Sequence, residues 1–325
     1  MISTPQISII VPTFNRCQEL PAALDALCCQ QGLEEGAYEV IVVDNNSTDR
    51  TKEIVKEYIG RYKSIVRYAF EVKQGISAAR NRGIGQSQGE IIAFTDDDVR
   101  VAPQWIFYLK KAFESPLVDA VGGRVVPAYS SDIPRWVKEN QSIFYGVIVH
   151  HDYGQEEILY SVPPMVPFIG ANFAIRRVIL LQYGLFREDI GVGQGFLGED
   201  SEMYWRLKLA DKKIYYYGMA EVLHPIDQNR LKWDYMAKWA WQYGRFRGRI
   251  EREKTAYSQF FQWIGSPKSL ILFAAVFGAN LLRLVLSLIF FYKRGVIKSW
   301  FTLYIQLGMF YEYRWHTKNR MGGPL

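Results

Sequence analysis

Three carboxylates stand in a row in the stretch GEIIAFTDDDVRVAPQW, where Asp96, Asp97 and Asp98 directly follow an apolar run of strand type. Adjacent carboxylates repel one another, and a half-buried strand end is a poor place to leave them bare. Either water solvates an acidic loop tip, or a cation belongs there. Mg2+ or Mn2+ takes carboxylate oxygens and would bridge these aspartates to the phosphates of a nucleotide diphosphate. Such a cation offsets the repulsion and withdraws charge from a departing diphosphate. Asp44, at the end of YEVIVVD, stands where a carboxylate can accept hydrogen bonds from a base or ribose. Arg80, in ISAARN, can reach a phosphate or steady the acidic loop.

A second acidic pair, Glu199 and Asp200, follows glycines 191, 193, 195 and 198 in GVGQGFLGEDSEMYWRL. In the first turn of a helix, carboxylates complement the macrodipole by ~0.3–1 kcal/mol. Beside a nucleotide-sugar rim, the same groups would deprotonate an attacking hydroxyl. Their position in the sequence leaves both roles open.

The elements that must position these groups alternate. QISIIVPTFN, YEVIVVDNNSTD, SIVRYAFEV and EIIAF read as strands. Between them, CQELPAALDALCCQQ, STDRTKEIVKEYIGRY and ISAARNRGIGQS carry helical spacing. This is the pattern of an α/β chain with a mostly parallel sheet and helices on both faces. Ligands of such sheets bind beyond the carboxyl ends of the strands. The loops PTFNR, DNNSTD and TDDDV all follow strands, so they are expected on one rim. After Ala112 the alternation weakens. VDAVGGRVVP and VPFIGANFAIRR read as further strands and GEDSEMYWRLKLA as a helix with an acidic start.

Composition narrows the class. The chain has 325 residues with 49% hydrophobic and 22% charged content, an ordinary globular balance. A net charge of +6 suits anionic partners, and the basic residues crowd GRFRGRIEREK. Nucleic-acid binding would use that charge but would leave the acidic rim unexplained, so no nucleic acid is expected. The cysteines, Cys17, Cys28 and Cys29, include a vicinal pair and no second cluster, which argues against a disulfide framework or a zinc site and for a reducing compartment. The start MISTPQISIIVPTFN does not read as a signal peptide.

Six ordered segments, ISIIVPTFNR, EVIVVDNNSTD, GISAARNRGI, GEIIAFTDDDV, GANFAIRR and GEDSEMYWRL, closely resemble glycosyltransferase family 2 over roughly Ser3 to His224. The resemblance implies a GT-A fold (Rossmann-like, with a mostly parallel central sheet) and an inverting, metal-dependent transfer from a nucleotide sugar. It assigns Pro12, Thr13, Asn15 and Arg16 to the first nucleotide loop and Asp44 to the base. Gly75, Ser77 and Arg80 match the segment near base and phosphates. Asp96 would face the ribose side and Asp98 would hold Mn2+ or Mg2+, with Asp97 able to exchange roles with either. Asp200 matches the catalytic base, Glu199 supports the acceptor, and His224 completes the metal site in some relatives. Two histidines, His150 and His151, match nothing. QYGRF resembles the Q-x-x-R-W of processive synthases with Phe246 in place of Trp, and also reads simply as part of a basic amphipathic helix.

The expected organisation is a catalytic region over 1–230, with a nucleotide-binding half (1–111) and an acceptor half (112–230), then an aromatic, basic and apolar helical region over 231–325. As a helix, Leu270 to Phe291 would run roughly 33 Å, the thickness of a hydrocarbon core. Asn280 and Arg283 near its middle oppose a simple span, a central Arg costing ~2.5–3.5 kcal/mol on insertion scales. Membrane association through this region is expected, as a span, an interfacial hairpin or helices on the surface, and a buried oligomer surface is the alternative. The function expected is sugar transfer from a nucleotide diphosphate sugar, with UDP favoured by family habit, to a hydroxyl of a glycan or lipid-linked saccharide on the cytoplasmic side of the membrane. A polyprenyl-phosphate acceptor and a non-catalytic nucleotide-binding scaffold are the rival readings.

Overall fold

A computed structural model of the chain describes residues 5–129, 133–160, 168–253, 270–289 and 293–321. Contacts divide it into two compact units. The first comprises Met1–Ser130, Ile148–Gln194 and Glu199–Ile226; the second comprises Ser131–Val147, Gly195–Gly198 and Asp227–Leu325.

In the first unit the expected alternation is present as β1 (Ile7–Thr13), α1 (Leu20–Cys28), β2 (Tyr38–Asp44), α2 (Thr51–Arg61), β3 (Val66–Phe70), α3 (Ile76–Gln86) and β4 (Ile91–Phe94). Strands β1 and β2 are buried at every position, because helices cover both faces of a parallel sheet. Successive residues of β1 divide between two cores. Ile7, Ile9 and Val11 pack with α1 and α2, whereas Ile10 packs with Ala79 and Ile84 of α3. The parallel register sets Thr13 opposite Asp44, so the loops that leave β1 and β2 start side by side.

The chain continues through β5 (Arg100–Val101), α4 (Trp105–Ala112), β6 (Ala120–Tyr129), α5 (Arg135–Lys138), β7 (Glu157–Leu159), β8 (Phe173–Arg176), α6 (Arg177–Tyr183), α7 (Glu199–Leu209) and β9 (Ile214–Ile226). The sheet has nine strands in the order β3-β2-β1-β4-β8-β6-β9-β5, with β7 on β9. Strand β8 runs antiparallel to both β4 and β6. The sheet is continuous across residue 111, so the two expected halves of the catalytic region share one sheet. The expected strand VPFIGANFAIRR is a strand only over Phe173–Arg176, and Val166 and Pro167 lie outside the described residues. Strand β9, which carries His224, has no clear alternation to mark it in the sequence; its burial comes from tertiary neighbours.

The second unit is built on α8 (Trp233–Arg252), α9 (Leu270–Ile289) and α10 (Lys293–Met321). It also takes in 131–147 and 195–198, which the sequence reading had grouped with the catalytic region. Helices α8 and α10 meet through glycines. A Cβ on Gly244 would lie 2.1 Å from the Ile305 carbonyl oxygen, one on Gly248 2.4 Å from that of Met309, and one on Gly308 2.3 Å from that of Trp241. Backbones this close tolerate no side chain, the same small-residue logic that packs helices in membranes. In QYGRF, Phe246 is fully buried and Arg245 pairs with Glu312 at 3.1 Å, so the motif braces α8 against α10. Among the described residues no helix is long and apolar enough to cross a membrane.

Helix propensity alone favours Ala over Gly by up to ~1 kcal/mol, but a clash with a backbone carbonyl costs more than that gain. Gly244→Ala is therefore expected to lower stability by ~1–3 kcal/mol. Gly60→Ala, at an exposed position of α2 with nothing within 4 Å, is expected to raise it by ~0.4–1 kcal/mol. Thermal unfolding of the two variants should move in opposite directions; movement in the same direction would refute the tight helix contact.

Candidate active site

The rim beyond β1, β2 and β4 is laced together by short side chains. The Asn15 backbone N–H donates to Ser47 Oγ at 2.9 Å, and the Thr48 N–H donates to Asn15 Oδ1 at 2.8 Å. Asn15 itself is left-handed, with φ 52°, a conformation Asn adopts more readily than most residues. Pro12 and Thr13 end β1, and Arg16 follows with its guanidinium 3.9 Å from Asp98. Asp44 is buried and anchored, with Oδ1 accepting from the Ser47 N–H at 2.9 Å and Oδ2 from the Tyr68 hydroxyl at 2.8 Å.

Sequence reasoning gave Asn45 no role, yet it organises the approach to α3. Its Nδ2 donates to the carbonyls of Glu71 and Lys73 (3.1 and 2.7 Å), and its Oδ1 accepts from the Gly75 N–H at 2.8 Å. Gly75 then enters α3 at φ 132°. The Ser77 hydroxyl is buried and donates to the Ile190 carbonyl at 2.7 Å, which fastens α3 to the glycine-rich loop. The only signal for Asn45 was its place directly after Asp44 in a cluster of turn residues.

Arg80 is the hub. It is 1% exposed, its Nη1 donates to Glu199 Oε1 at 2.8 Å, and its Nη2 lies 3.7 Å from Asp96 and 3.3 Å from the Gly170 carbonyl. Of the two roles open to it, the geometry favours steadying the acidic loop. Glu199 is correspondingly held by a cation, and the turn before it explains its placement: Gly191, Gly193, Gly195 and Gly198 all have positive φ, which ordinary side chains rarely adopt. The neighbouring Asp200 accepts backbone N–H bonds on both oxygens, from Gly170 at 2.8 Å and Ser201 at 2.6 Å. Burial, followed by the charge of Glu199, pushes its carboxyl up to about 7, with Arg80 and the two N–H donors opposing. A carboxylate in that range is a competent proton acceptor at neutral pH.

The three aspartates separate by environment. Asp96 turns toward Arg80, and burial raises its carboxyl above the ordinary range. Asp97 is 8% exposed, close to Thr13, and burial together with the charge of Asp98 lifts it to about 7. Asp98 faces His224, with Oδ1 3.9 Å from Nε2. The His224 Nδ1 lies 2.9 Å from the Pro225 carbonyl oxygen. A carbonyl can only accept, so Nδ1 carries the hydrogen and a neutral ring presents the Nε2 lone pair, the tautomer a metal needs. Together Asp98 and His224 offer one oxygen and one nitrogen donor of the kinds that Mn2+ takes, 3.9 Å apart. The fit is for a pair of ligands. Asp96, Asp98 and His224 do not converge as the expected trio, and among the described residues no group of three or more His, Cys, Asp or Glu is spaced to hold a metal ion. His151, unassigned from sequence, is structural, bonded to Gly123 and Tyr160.

A family model described as Glycosyl transferase family 2 matches residues 8–184. Glycosyltransferase AglE of Haloferax volcanii is 38% identical over 212 residues, 65% of this chain and 64% of that protein. This chain thus spans just under two-thirds of that relative's length. The glucosyl-dolichyl phosphate glucuronosyltransferase of the same organism is 25% identical over 237 residues, 71% of this chain and 72% of that protein. Among solved structures, the mannosyltransferase PcManGT from Pyrobaculum calidifontis, in complex with GDP-Man and Mn2+, superposes with a TM-score of 0.66 at 18% identity, covering 96% of this chain and 88% of that one. That likeness establishes a shared GT-A-like fold. The chain belongs to glycosyl transferase family 2.

Two outcomes follow from the charge network. Replacing Arg80 with Gln leaves Glu199 and Asp96 without their buried counter-charge, and is expected to cost ~3–5 kcal/mol in urea unfolding. A loss below ~1 kcal/mol would mean that the guanidinium is not what holds the acidic groups together. The second concerns pH. An unfolded aspartate titrates near ~3.9, so a folded Asp200 at about 7 binds its proton more tightly. The stability this contributes is complete below the unfolded value and is lost as pH rises through 7. In EDTA, the melting temperature of the wild type should therefore fall more steeply between mildly acidic and mildly basic pH than that of Asp200→Asn. Parallel curves would show that Asp200 titrates in its ordinary range.

Proposed function

We propose that this family 2 glycosyltransferase moves a sugar from a nucleotide diphosphate donor to a hydroxyl of a glycan or lipid-linked saccharide, with inversion at the anomeric carbon. The observation that carries this reading is Asp200, a carboxylate raised to about 7 and oriented by two backbone N–H groups in the same unit as the acidic rim. In the proposed step the acceptor oxygen forms a bond to the anomeric carbon, its proton passes to Asp200, and the bond from that carbon to the diphosphate oxygen breaks. The nucleotide diphosphate leaves with the bonding pair.

The other residues take supporting parts. Pro12, Thr13, Asn15, Arg16 and Asp44 form the loops offered to the nucleotide, with Gly75 and Ser77 shaping the wall beside them. Arg80 fixes Glu199 and Asp96 so that Asp200 keeps its direction. Asp98 and His224 would hold Mn2+ or Mg2+, and the ligand's phosphates would complete the shell of a site with too few protein donors of its own. When bound, the cation supplies charge neutralisation for the leaving diphosphate.

Support for a lipid-linked saccharide comes from the name of the glucosyl-dolichyl phosphate glucuronosyltransferase, and the donor's base is open between UDP, favoured by family habit, and the GDP carried by the mannosyltransferase neighbour. Activity on the cytoplasmic side of a membrane is part of the same proposal. A polyprenyl-phosphate acceptor is the rival enzyme reading, because it is already anionic and needs no base. The idle-scaffold reading gives way to membership in an enzyme family.

The test is release of nucleotide diphosphate from a panel of UDP- and GDP-sugars, with Mn2+, Mg2+ or EDTA and a lipid extract as acceptor source. Wild type should turn over one donor with metal, and Asp98→Ala should lose that dependence together with activity. Asp200→Asn should reduce transfer by ~10²–10⁴ while still binding the nucleotide. Near-normal transfer by Asp200→Asn would move the assignment to a phosphate acceptor.

A further inference from the structure

Helix α9 is arranged the wrong way round for water. Asn280, Arg283 and Ser287 recur at helical spacing and line a cavity within the C-terminal unit. The leucines and their neighbours turn outward instead: Leu282 is 58% exposed, Ile289 60%, and Leu281, Val285, Leu286 and Leu288 are exposed as well. An unbroken apolar face of this kind marks a surface meant to be covered.

The cavity behind that face measures about 820 Å³ and lies between α8, α9, α10 and residues 142–146. Its wall carries Arg247, Arg283, Arg294 and Lys298, and no carboxylate lines it among the described residues. Arg247 is 6% exposed. The polar contacts of the other two arginines are weak and neutral, Arg283 Nη1 to Asn280 Oδ1 at 3.5 Å and Arg294 Nη2 to Ser142 Oγ at 3.3 Å. Neither of these arginines nor Lys298 makes an ion pair among the described residues. Basic side chains around one cavity whose described lining holds no carboxylate match a phosphate. Trp239 and Tyr243 add an aromatic wall, the amphipathic surface found where apolar and wet regions meet.

We propose that this cavity and the outer face of α9 together form a binding site for an anionic membrane lipid. The phosphate headgroup would be taken by Arg247, Arg283, Arg294 and Lys298, and the hydrocarbon would lie over Leu282, Leu286 and Ile289. A phospholipid or polyisoprenyl phosphate has this division into anionic head and apolar tail. A second copy of the chain does not, because a two-fold contact through this face would bring two like-charged clusters, each with Arg283, Arg294 and Lys298, together. The site is argued from the C-terminal unit alone and goes beyond the transfer reaction, standing whether or not the bound lipid is the acceptor.

The experiment is flotation of the full chain with vesicles of phosphatidylcholine, with and without phosphatidylglycerol. Wild type should float with the anionic vesicles. The triple variant Arg283→Gln, Arg294→Gln, Lys298→Gln should lose at least about tenfold in apparent affinity for them. A Leu282→Ser, Leu286→Ser variant should lose binding to both compositions. Diphosphate release from the donor, unchanged in both variants, shows that they are folded. Equal flotation of the triple variant and the wild type would overturn the headgroup assignment. Inorganic pyrophosphate that binds as tightly as the anionic vesicles would mark the site as one for a free anion. A wild type that fails to float, but sediments as a dimer dissolved by the two serines, would give the face to a second copy.

Discussion

Arg80 is a cation removed from water, and a cation in that position has to be compensated. Glu199 binds it at 2.8 Å, Asp96 stands 3.7 Å away and the Gly170 carbonyl 3.3 Å away. These partners come from the start of α7, the loop after β4 and the turn before β8, segments far apart in the chain. One guanidinium on α3 thus holds the acidic loop and the start of α7, with Glu199 and Asp200, in a common frame. Glu199 is taken up by this pairing, while burial and then the charge of Glu199 push the Asp200 carboxyl up to about 7. The two adjacent acids thus differ in partner, Glu199 bonding the buried cation and Asp200 two backbone N–H groups.

The same constraint separates the aspartates of the rim. Asp96 belongs to the Arg80 network, Asp97 is buried near Thr13, and Asp98 faces the His224 imidazole. Three identical side chains in a row acquire three environments because the turn after β4 sends each in a different direction. On the proposed reading, Asp98 and His224 would supply two donors to a divalent cation, short of a closed cage. An incomplete shell is what a site needs if its metal must also bind a ligand's phosphates and then release them.

The C-terminal unit answers to a different demand. Its α8–α10 contact, built on Gly244, Gly248 and Gly308, is as close as backbones allow, while α9 keeps polar residues on the cavity side and leucines outside. Tight glycine packing and an inverted amphipathic helix are the two features on which the proposed lipid site of this unit draws.

Much of this was legible in the residues. Apolar runs ending in turn residues marked β1, β2 and β4, and the α/β alternation placed their loops on one rim, because strand and helix periods are local properties. Leu270 to Phe291 declared itself as a helix by length and hydropathy, and the described part, Leu270–Ile289, is helical. The sequence could not say that Ser77 fastens a loop, that Asn45 braces the approach to α3, or that Arg80 pairs with Glu199, since each depends on a partner between 26 and 119 residues away. Nor could it show that 131–147 and 195–198 belong with the C-terminal helices, or that the sheet runs unbroken past 111. The sequence by itself determined which chemical groups were available and which elements would carry them. Only the tertiary structure decided which carboxylate is neutralised, which is left to take a proton and which faces an imidazole, because charge interactions and burial depend on distance in space and not along the chain.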